Sequence, residues 1–234
     1  MANMLTIIPK VDQSWSIIDI VDQACPPSWR EVFIASRQEL EAISTTLEGK
    51  RFYPTKDKLF EAFFLTPLDR VRVVLIGQDP YHDVVNGKPR AMGLSFSSPK
   101  GANVPPSLRN VFAELKRSYP DFHVPSHGDL TPWAQQGVLL LNTSLTVEPG
   151  RPGSHQKVWM GFIIYVLRAV SAANPDCIYL LWGAQAMSLR RYIGRGTILT
   201  SGHPSSLNRN NDFVGNGHFV KVNELLADPI DWRL

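Results

Sequence analysis

Three of the four long apolar segments of this chain lead into residues that could do chemistry. The first, residues 71–76, runs into Gln78 and Asp79, and later segments lead to Asn142 and His203. A carboxylate, an amide and an imidazole around one crevice suit a hydrolysis that positions water on one side and stabilises a leaving group on the other. Each residue alone also has a structural explanation, because Asp before Pro, a capping Asn and a Ser-Gly-His-Pro loop are ordinary turn chemistry.

The elements that must position these residues alternate along the chain. Near-continuous apolar runs, typical of buried strands, lie at 71–76, 138–141, 178–182 and 197–200. Amphipathic helical segments separate them, with apolar faces at Leu108, Val111, Phe112, Leu115 and Tyr119, and at Trp159, Phe162, Ile163, Val166, Leu167 and Val170. The pattern predicts an α/β fold with a central four-stranded, parallel, twisted sheet flanked by helices on both faces. Ligands of such sheets bind outside the carboxyl ends of the strands, where the polar residues gather.

The segment before the first strand favours helices. Ser28 with Glu31 has the form of a capping box, and residues 54–63 place charges before apolar residues. We expect a single domain over 1–234, with a helical N-terminal part at 1–52 and a catalytic core at 53–234.

Composition limits the class of protein. With 234 residues, 44% hydrophobic and 19% charged, the chain can bury a sizeable core. It has neither an apolar stretch long enough for a membrane span nor a signal peptide, so we expect an intracellular, soluble protein. Cys25 and Cys177 match no metal-ligand spacing and give little support to a disulfide. The net charge of +3 is compatible with a polyanionic partner without demanding one.

Several classes of chemistry lack their motifs. The chain has no Gly-x-Ser-x-Gly elbow, no phosphate-binding loop of the Walker type and no clustered zinc ligands, so neither a covalent nucleophile nor a metal or other cofactor is expected. Tyr81 and Phe96 lie near the predicted crevice. Aromatic side chains beside polar residues suit a nucleobase flipped out of its stack.

The sequence resembles the family 1 uracil-DNA glycosylases from about residue 53 to the end. The resemblance rests on GQDPYH (77–82), GLSFS (93–97), PPSLRNVF (105–112), HGDLTPWAQQGVLLLN (127–142), LLWG (180–183), GHPSSLN (202–208) and IDW (230–232). It implies a monofunctional glycosylase that flips uracil out of DNA and hydrolyses its N-glycosidic bond. Free uracil leaves, and the abasic site enters base excision repair.

The resemblance also implies roles for individual residues. Asp79 would orient the attacking water, and His203 would hydrogen-bond the uracil carbonyl as negative charge develops. Asn142 would read uracil and Phe96 would stack on it. Tyr81 would collide with the methyl group of thymine.

The remaining implied contacts are to the base or to the DNA. The backbone of Gln78 would help to hold uracil or the water. Leu207 would fill the space of the extruded nucleotide, while Ser107 and Ser205 would contact phosphates. Ser107 also fits the N-cap of a helix that starts at Leu108.

The chain departs from the family pattern near the crevice. The loop over 83–92 is longer than usual, and Met92 stands where histidine is common. Three further positions differ from the family pattern: a serine is replaced by Ala184, a proline by Ser206 and a serine by Asn208. These changes predict a more flexible loop around Leu207 and weaker binding of DNA. Basic side chains could compensate, with candidates at Lys88, Arg90 and Arg209.

Expected partners are uracil-containing DNA, single- or double-stranded, and free uracil as product. The resemblance adds a phage-type inhibitor protein, and we expect a monomer in the cytoplasm of a bacterium or in the nucleus of a eukaryotic or infected cell. Two other functions stay open at this point, namely a DNA-binding scaffold and a glycosylase with broader base choice.

Overall fold

A computed structural model describes residues 9–205, 207–208, 210 and 212–234. Ser206 and Arg209, on which two of the expectations above depend, lie outside these residues. The helices in chain order are α1 (Ile17–Ala24), α2 (Arg30–Ala35), α3 (Arg37–Leu47), α4 (Glu61–Leu65), α5 (Pro106–Ser118), α6 (Thr131–Gln135), α7 (Gln156–Ala173), α8 (Ala184–Met187) and α9 (His218–Leu225). The strands are β1 (Val73–Gly77), β2 (Val84–Val85), β3 (Lys88–Pro89), β4 (Val138–Asn142), β5 (Ile178–Trp182) and β6 (Thr197–Ser201).

A four-stranded parallel sheet in the order β4-β1-β5-β6 forms the centre of the molecule. Every residue of β1, β4 and β5 is buried, which requires cover on both faces of the sheet. The predicted α/β architecture and its four strands are confirmed. In β6, at one edge, the side chains are partly exposed.

The N-terminal helices share one hydrophobic cluster with the sheet, since buried residues of α1, α2 and α3 belong to the same cluster as those of β1. The boundary at residue 53 stays a prediction. Cys177 is buried in this core as a free thiol, and Cys25 is a partly buried free thiol.

The expected capping box at Ser28 and Glu31 is wrong. Residues Pro27–Trp29 form a short 3-10 helix, and the Ser28 hydroxyl instead accepts a hydrogen bond from the backbone N–H of Leu68 at 3.1 Å. A capping box does form at the start of α1, where Ser16 and Asp19 each accept from the other's backbone N–H.

Helix α5 begins earlier than expected. Its N-cap is Pro105 and its first residue is Pro106, so Ser107 lies in the first turn and is not the N-cap. Proline suits this position because the first N–H of a helix has no intrahelical acceptor. Leu108, Val111, Phe112 and Leu115 of the predicted apolar face are buried, while Tyr119 is the C-cap and is partly buried against the core.

None of the helices formed by the described residues is long and apolar enough to cross a membrane.

Candidate active site

The carboxyl ends of β1 and β4 bring the first candidate residues together. Gly77 pairs with Asn142, whose side chain is next to the glycine. A Cβ atom at position 77 would collide with Asn142 Oδ1 and would lie 2.9 Å from Ser95 Cβ, so only glycine leaves room for the amide. Asn142 is only 6% exposed, yet its amide has no hydrogen-bond partner among the described residues. The amide atoms are not themselves cut off from solvent, so this amide is accessible to a ligand.

Asp79 lies on the turn that follows β1. Its Oδ2 accepts a hydrogen bond from the backbone N–H of Gly153 at 2.5 Å, while its Oδ1 has no partner within the described ranges. Burial raises the pKa of the Asp79 carboxyl, and the Gly153 N–H and nearby His82 oppose that rise. One carboxylate oxygen is therefore fixed and the other is free to accept from water.

Tyr81 and Phe96 are held to each other. The Tyr81 hydroxyl donates to the Phe96 carbonyl at 2.9 Å, and burial raises the pKa of that phenol. Phe96 has a φ of +61°, a left-handed conformation that is uncommon outside glycine and concentrates at functional sites. The segment is anchored on the sheet because the N–H of Ser95 donates to the Leu140 carbonyl at 3.0 Å.

His203 follows β6 and faces the same aromatic ring. Its ring centroid lies 6.1 Å from that of Phe96, which in turn lies 5.8 Å from Trp182. A Cβ atom at Gly183, where φ is +86°, would lie 2.9 Å from His203 Cβ, so the close approach of these segments requires glycine. The backbone N–H of Ser205 donates to His203 Nδ1 at 3.0 Å. Burial lowers the pKa of the imidazole, which favours the neutral ring with its proton on Nε2.

The loop after His203 carries an exposed leucine. Leu207 is 87% exposed, and its backbone N–H donates to Ser205 Oγ at 3.1 Å. The side-chain amide of Asn208 donates to the His203 carbonyl at 3.0 Å and to Asp212 Oδ1 at 2.7 Å. Asn208 therefore links the two ends of the loop that presents the leucine.

An open cleft of about 680 Å³ adjoins this loop. It is lined by Gln78, Ala184, His203, Ser205, Leu207 and other residues of the same loops. Asp79, Tyr81, Phe96, Asn142 and Ser107 are not among its lining residues. Helix α5, which carries Ser107, is tied to the cleft because Asn110 Nδ2 donates to the Pro204 carbonyl at 2.7 Å.

Comparisons with known proteins agree with this geometry. The family model of the uracil DNA glycosylase superfamily matches residues 63–227. The uracil-DNA glycosylase of Dichelobacter nodosus (strain VCS1703A) is 41% identical over 241 residues, which cover 99% of this chain and 100% of that protein. That of Azotobacter vinelandii (strain DJ / ATCC BAA-1303) is 48% identical over 193 residues, covering 80% and 81%. The chain belongs to the uracil-DNA glycosylase superfamily.

Solved uracil-DNA glycosylase structures have the same fold. The crystal structure of the mimivirus uracil-DNA glycosylase is 30% identical, with a TM-score of 0.82 over 89% of this chain and 87% of that chain. A Y322F variant of the mimivirus enzyme, solved in complex with UGI, matches with the same TM-score of 0.82.

The function expected from the sequence is confirmed. As a uracil-DNA glycosylase, this hydrolase cleaves the bond between uracil and deoxyribose in DNA, which releases free uracil and leaves an abasic site for base excision repair.

In the longer loop at 83–92, the expectation that Arg90 contacts DNA is wrong. Arg90 was a candidate for binding phosphate, but it is buried and its guanidinium donates to Asp83, Ser98 and Asn103. Lys88 is exposed on β3. Met92 Sδ accepts a hydrogen bond from the Ser97 hydroxyl at 3.5 Å.

Three contacts of the candidate site involve residues to which the sequence assigns no role in it. The N–H of Gly153 holds Asp79, Asn110 holds the Pro204 carbonyl, and Asn208 holds the His203 carbonyl. Asn208 was noticed only as a departure from the family pattern. Asn110 lies within the motif at 105–112, but it and Gly153 are far along the chain from their partners, and no local pattern predicts the contact.

Within the described part of the chain, no group of three or more His, Cys, Asp or Glu side chains is arranged to hold a metal ion.

Proposed function

We propose that Asp79, Asn142 and His203 act on one uracil at the carboxyl edge of the sheet. The observation that carries this proposal is that Asn142, a largely buried residue, makes no side-chain hydrogen bond to the other described residues. An amide can donate to a uracil carbonyl and accept from the imide N–H. The amino group of cytosine would instead oppose the Asn142 donor, so the same amide would select against it.

Asp79 orients the water. Its Oδ2 is occupied by the Gly153 N–H, so Oδ1 accepts a proton of the water that attacks the sugar carbon. The transition state of glycoside hydrolysis has oxocarbenium character, and a nearby carboxylate stabilises that positive charge. The elevated pKa also moves the carboxyl toward the range in which it can accept the proton.

His203 stabilises the leaving group as a neutral donor. Because Nδ1 accepts from Ser205, the ring proton is on Nε2 and points away from that backbone contact. A neutral imidazole can donate this hydrogen to a carbonyl oxygen as it gains negative charge. Uracil departs as an anion, so a fixed donor replaces a general acid.

Phe96 and Tyr81 form the walls of the base site. The ring of Phe96 lies close to His203, as stacking on the same base requires. Tyr81 excludes a methyl group on C5 of the pyrimidine. The backbone of Gln78 helps to hold the base or the water, and its carbonyl is itself fixed by the Thr143 hydroxyl at 2.6 Å.

Leu207 enters the DNA stack while Ser205 and Ser107 contact phosphates on either side. An exposed leucine at a loop tip gains nothing in water and offsets part of the cost of unstacking in DNA. Ser107, in the first turn of α5, also lies where the N-terminus of a helix favours a phosphate.

The partners follow from the relatives. We propose that this monomeric enzyme acts on single- and double-stranded DNA in a bacterial cytoplasm, since the curated relatives are bacterial proteins. The mimivirus complex with UGI supports binding of the same inhibitor here.

The experiment is release of uracil from a labelled single-stranded oligonucleotide, with thymine and cytosine strands alongside. We expect cleavage of the uracil strand alone. Asp79→Asn should slow single-turnover cleavage by roughly 10² to 10⁴, the range for losing a positioned acid–base group, while DNA still binds. Folded Asp79→Asn protein as fast as the parent would refute the role of Asp79, and DNA binding without cleavage by the parent would favour a scaffold.

A further inference from the structure

The longer loop of this chain is a hairpin with a closed base. Strands β2 and β3 pair across a turn in which Asn86 and Gly87 have φ values of +51° and +75°, as a two-residue hairpin turn requires. At the next pair of residues, the N–H of Arg90 donates to the Asp83 carbonyl at 3.0 Å. The added residues therefore place the Arg90 side chain at a defined point.

The guanidinium of Arg90 is held on several sides. It is 8% exposed. Its Nε lies 2.9 and 3.0 Å from the two carboxylate oxygens of Asp83. Nη1 donates to Ser98 Oγ at 3.1 Å and to the Asn103 carbonyl at 2.9 Å, and Nη2 donates to Asn103 Oδ1 at 3.1 Å. A buried cation with this many partners has little freedom to move.

This fixed cation covers the ring of Tyr81. Arg90 Cζ lies over the ring, 5.8 Å from its centroid, within the range of a cation–π contact. The hydroxyl of the same tyrosine is fixed by the Phe96 carbonyl. Tyr81 is thus restrained both at its hydroxyl and over its ring.

We propose that Arg90 is a specificity-determining residue that acts through Tyr81. By bracing the ring, it prevents Tyr81 from yielding to a substituent on C5 of the pyrimidine. A steric filter rejects an added methyl group only if its wall does not move, and a tyrosine held at the hydroxyl alone could still pivot. This inference rests on the proposed role of Tyr81 as the residue that excludes thymine.

The test compares single-stranded oligonucleotides that carry hydrogen, fluorine, bromine or methyl at C5 of one deoxyuridine. Single-turnover rates are measured for the parent, Arg90→Met, Arg90→Lys and Tyr81→Ala. Each variant is compared with the parent on the same base, so the different leaving-group strengths cancel. Arg168→Met, an exposed arginine on α7, is the matched control and should leave every rate unchanged.

We expect Arg90→Met to raise the rate on bromouracil relative to uracil by roughly tenfold, as expected for relaxing rejection of a group about the size of a methylene. Tyr81→Ala should raise it further, and Arg90→Lys should lie between Arg90→Met and the parent. General loss of stability would slow all four bases together and would leave these ratios unchanged.

The outcomes separate the two proposals. If Tyr81→Ala admits the larger bases and folded Arg90→Met does not, the bracing role is wrong and the role of Tyr81 stands. If neither variant admits them, the role of Tyr81 fails and the inference about Arg90 fails with it. If Arg90→Met does not fold, Asp83→Asn and Arg90→Lys test the proposal in the same assay. Both variants keep a positive charge at position 90 and weaken the contact that holds it to position 83. If folded Asp83→Asn and Arg90→Lys both keep the parent's ratio of the bromouracil rate to the uracil rate, the proposal is wrong.

Discussion

Truncation of Leu207 to alanine should slow uracil release from double-stranded DNA by roughly sixtyfold without destabilising the protein. The side chain is 87% exposed, so its removal costs the free protein almost no packing, and unfolding free energy should change by less than about 0.5 kcal/mol. In the duplex, a leucine that fills the vacated space gains about 0.8 kcal/mol for each carbon buried. Alanine lacks three of these carbons and so forfeits about 2.4 kcal/mol, which corresponds to roughly sixtyfold in rate.

The assay is single-turnover release of uracil from the same labelled strand, alone and in a duplex. A single strand has no stacked partner to leave a hole, so Leu207→Ala should affect it much less. Ile34→Ala, which truncates a 61% exposed residue of α2, is the control and should change neither rate. Equal slowing on both substrates, or a large drop in the thermal unfolding midpoint, would refute the wedge role of Leu207.

Three further predictions concern pH, the loop after His203 and salt. The proposed mechanism needs the Asp79 carboxylate, whose pKa burial raises above 3.8. We therefore expect kcat/KM to be full at neutral pH and to fall as the pH drops through that raised pKa. Because burial lowers the pKa of His203, its imidazole stays neutral at pH values somewhat below the ordinary pKa of 6.5. Loss of activity already at pH 6.5 would contradict this expectation. Asn208→Ala removes the donors to the His203 carbonyl and to Asp212, and should lower both the unfolding midpoint and the single-turnover rate. Asn208→Asp should lower both further, because it places a second negative charge beside Asp212. If both variants equal the parent, Asn208 does not hold the two ends of the loop together. Since the proposed DNA contacts are to phosphates, the dissociation constant for DNA should rise steeply with salt in a titration. A flat response would exclude that mode of binding.

The amino-acid sequence by itself determined the strands and the edge of the sheet that carries the site. Apolar runs such as residues 138–141 identify strands because a strand covered on both faces must be apolar throughout. The polar residues after the strands then fall at one edge, since parallel strands all end on the same side. The motifs added the identity of the family, which the comparisons confirm.

Only the tertiary structure decided how those residues are held. Asp79 is oriented by the N–H of Gly153, which is 74 positions away in the chain. Local patterns report which residues are buried, but they do not report which backbone group faces a given carboxylate once distant loops have packed. The tautomer of His203 likewise depends on the direction of the Ser205 N–H.

Arg90 shows the same limit most clearly. A basic residue in a long loop beside a DNA-binding edge is expected to be exposed, because burial of an unpaired charge is costly. The hairpin changes that balance by bringing Asp83, Ser98 and Asn103 around the guanidinium, which then lies over the ring of Tyr81. The sequence shows that position 90 is an arginine, but the burial of its side chain depends on partners that only folding brings within hydrogen-bond distance.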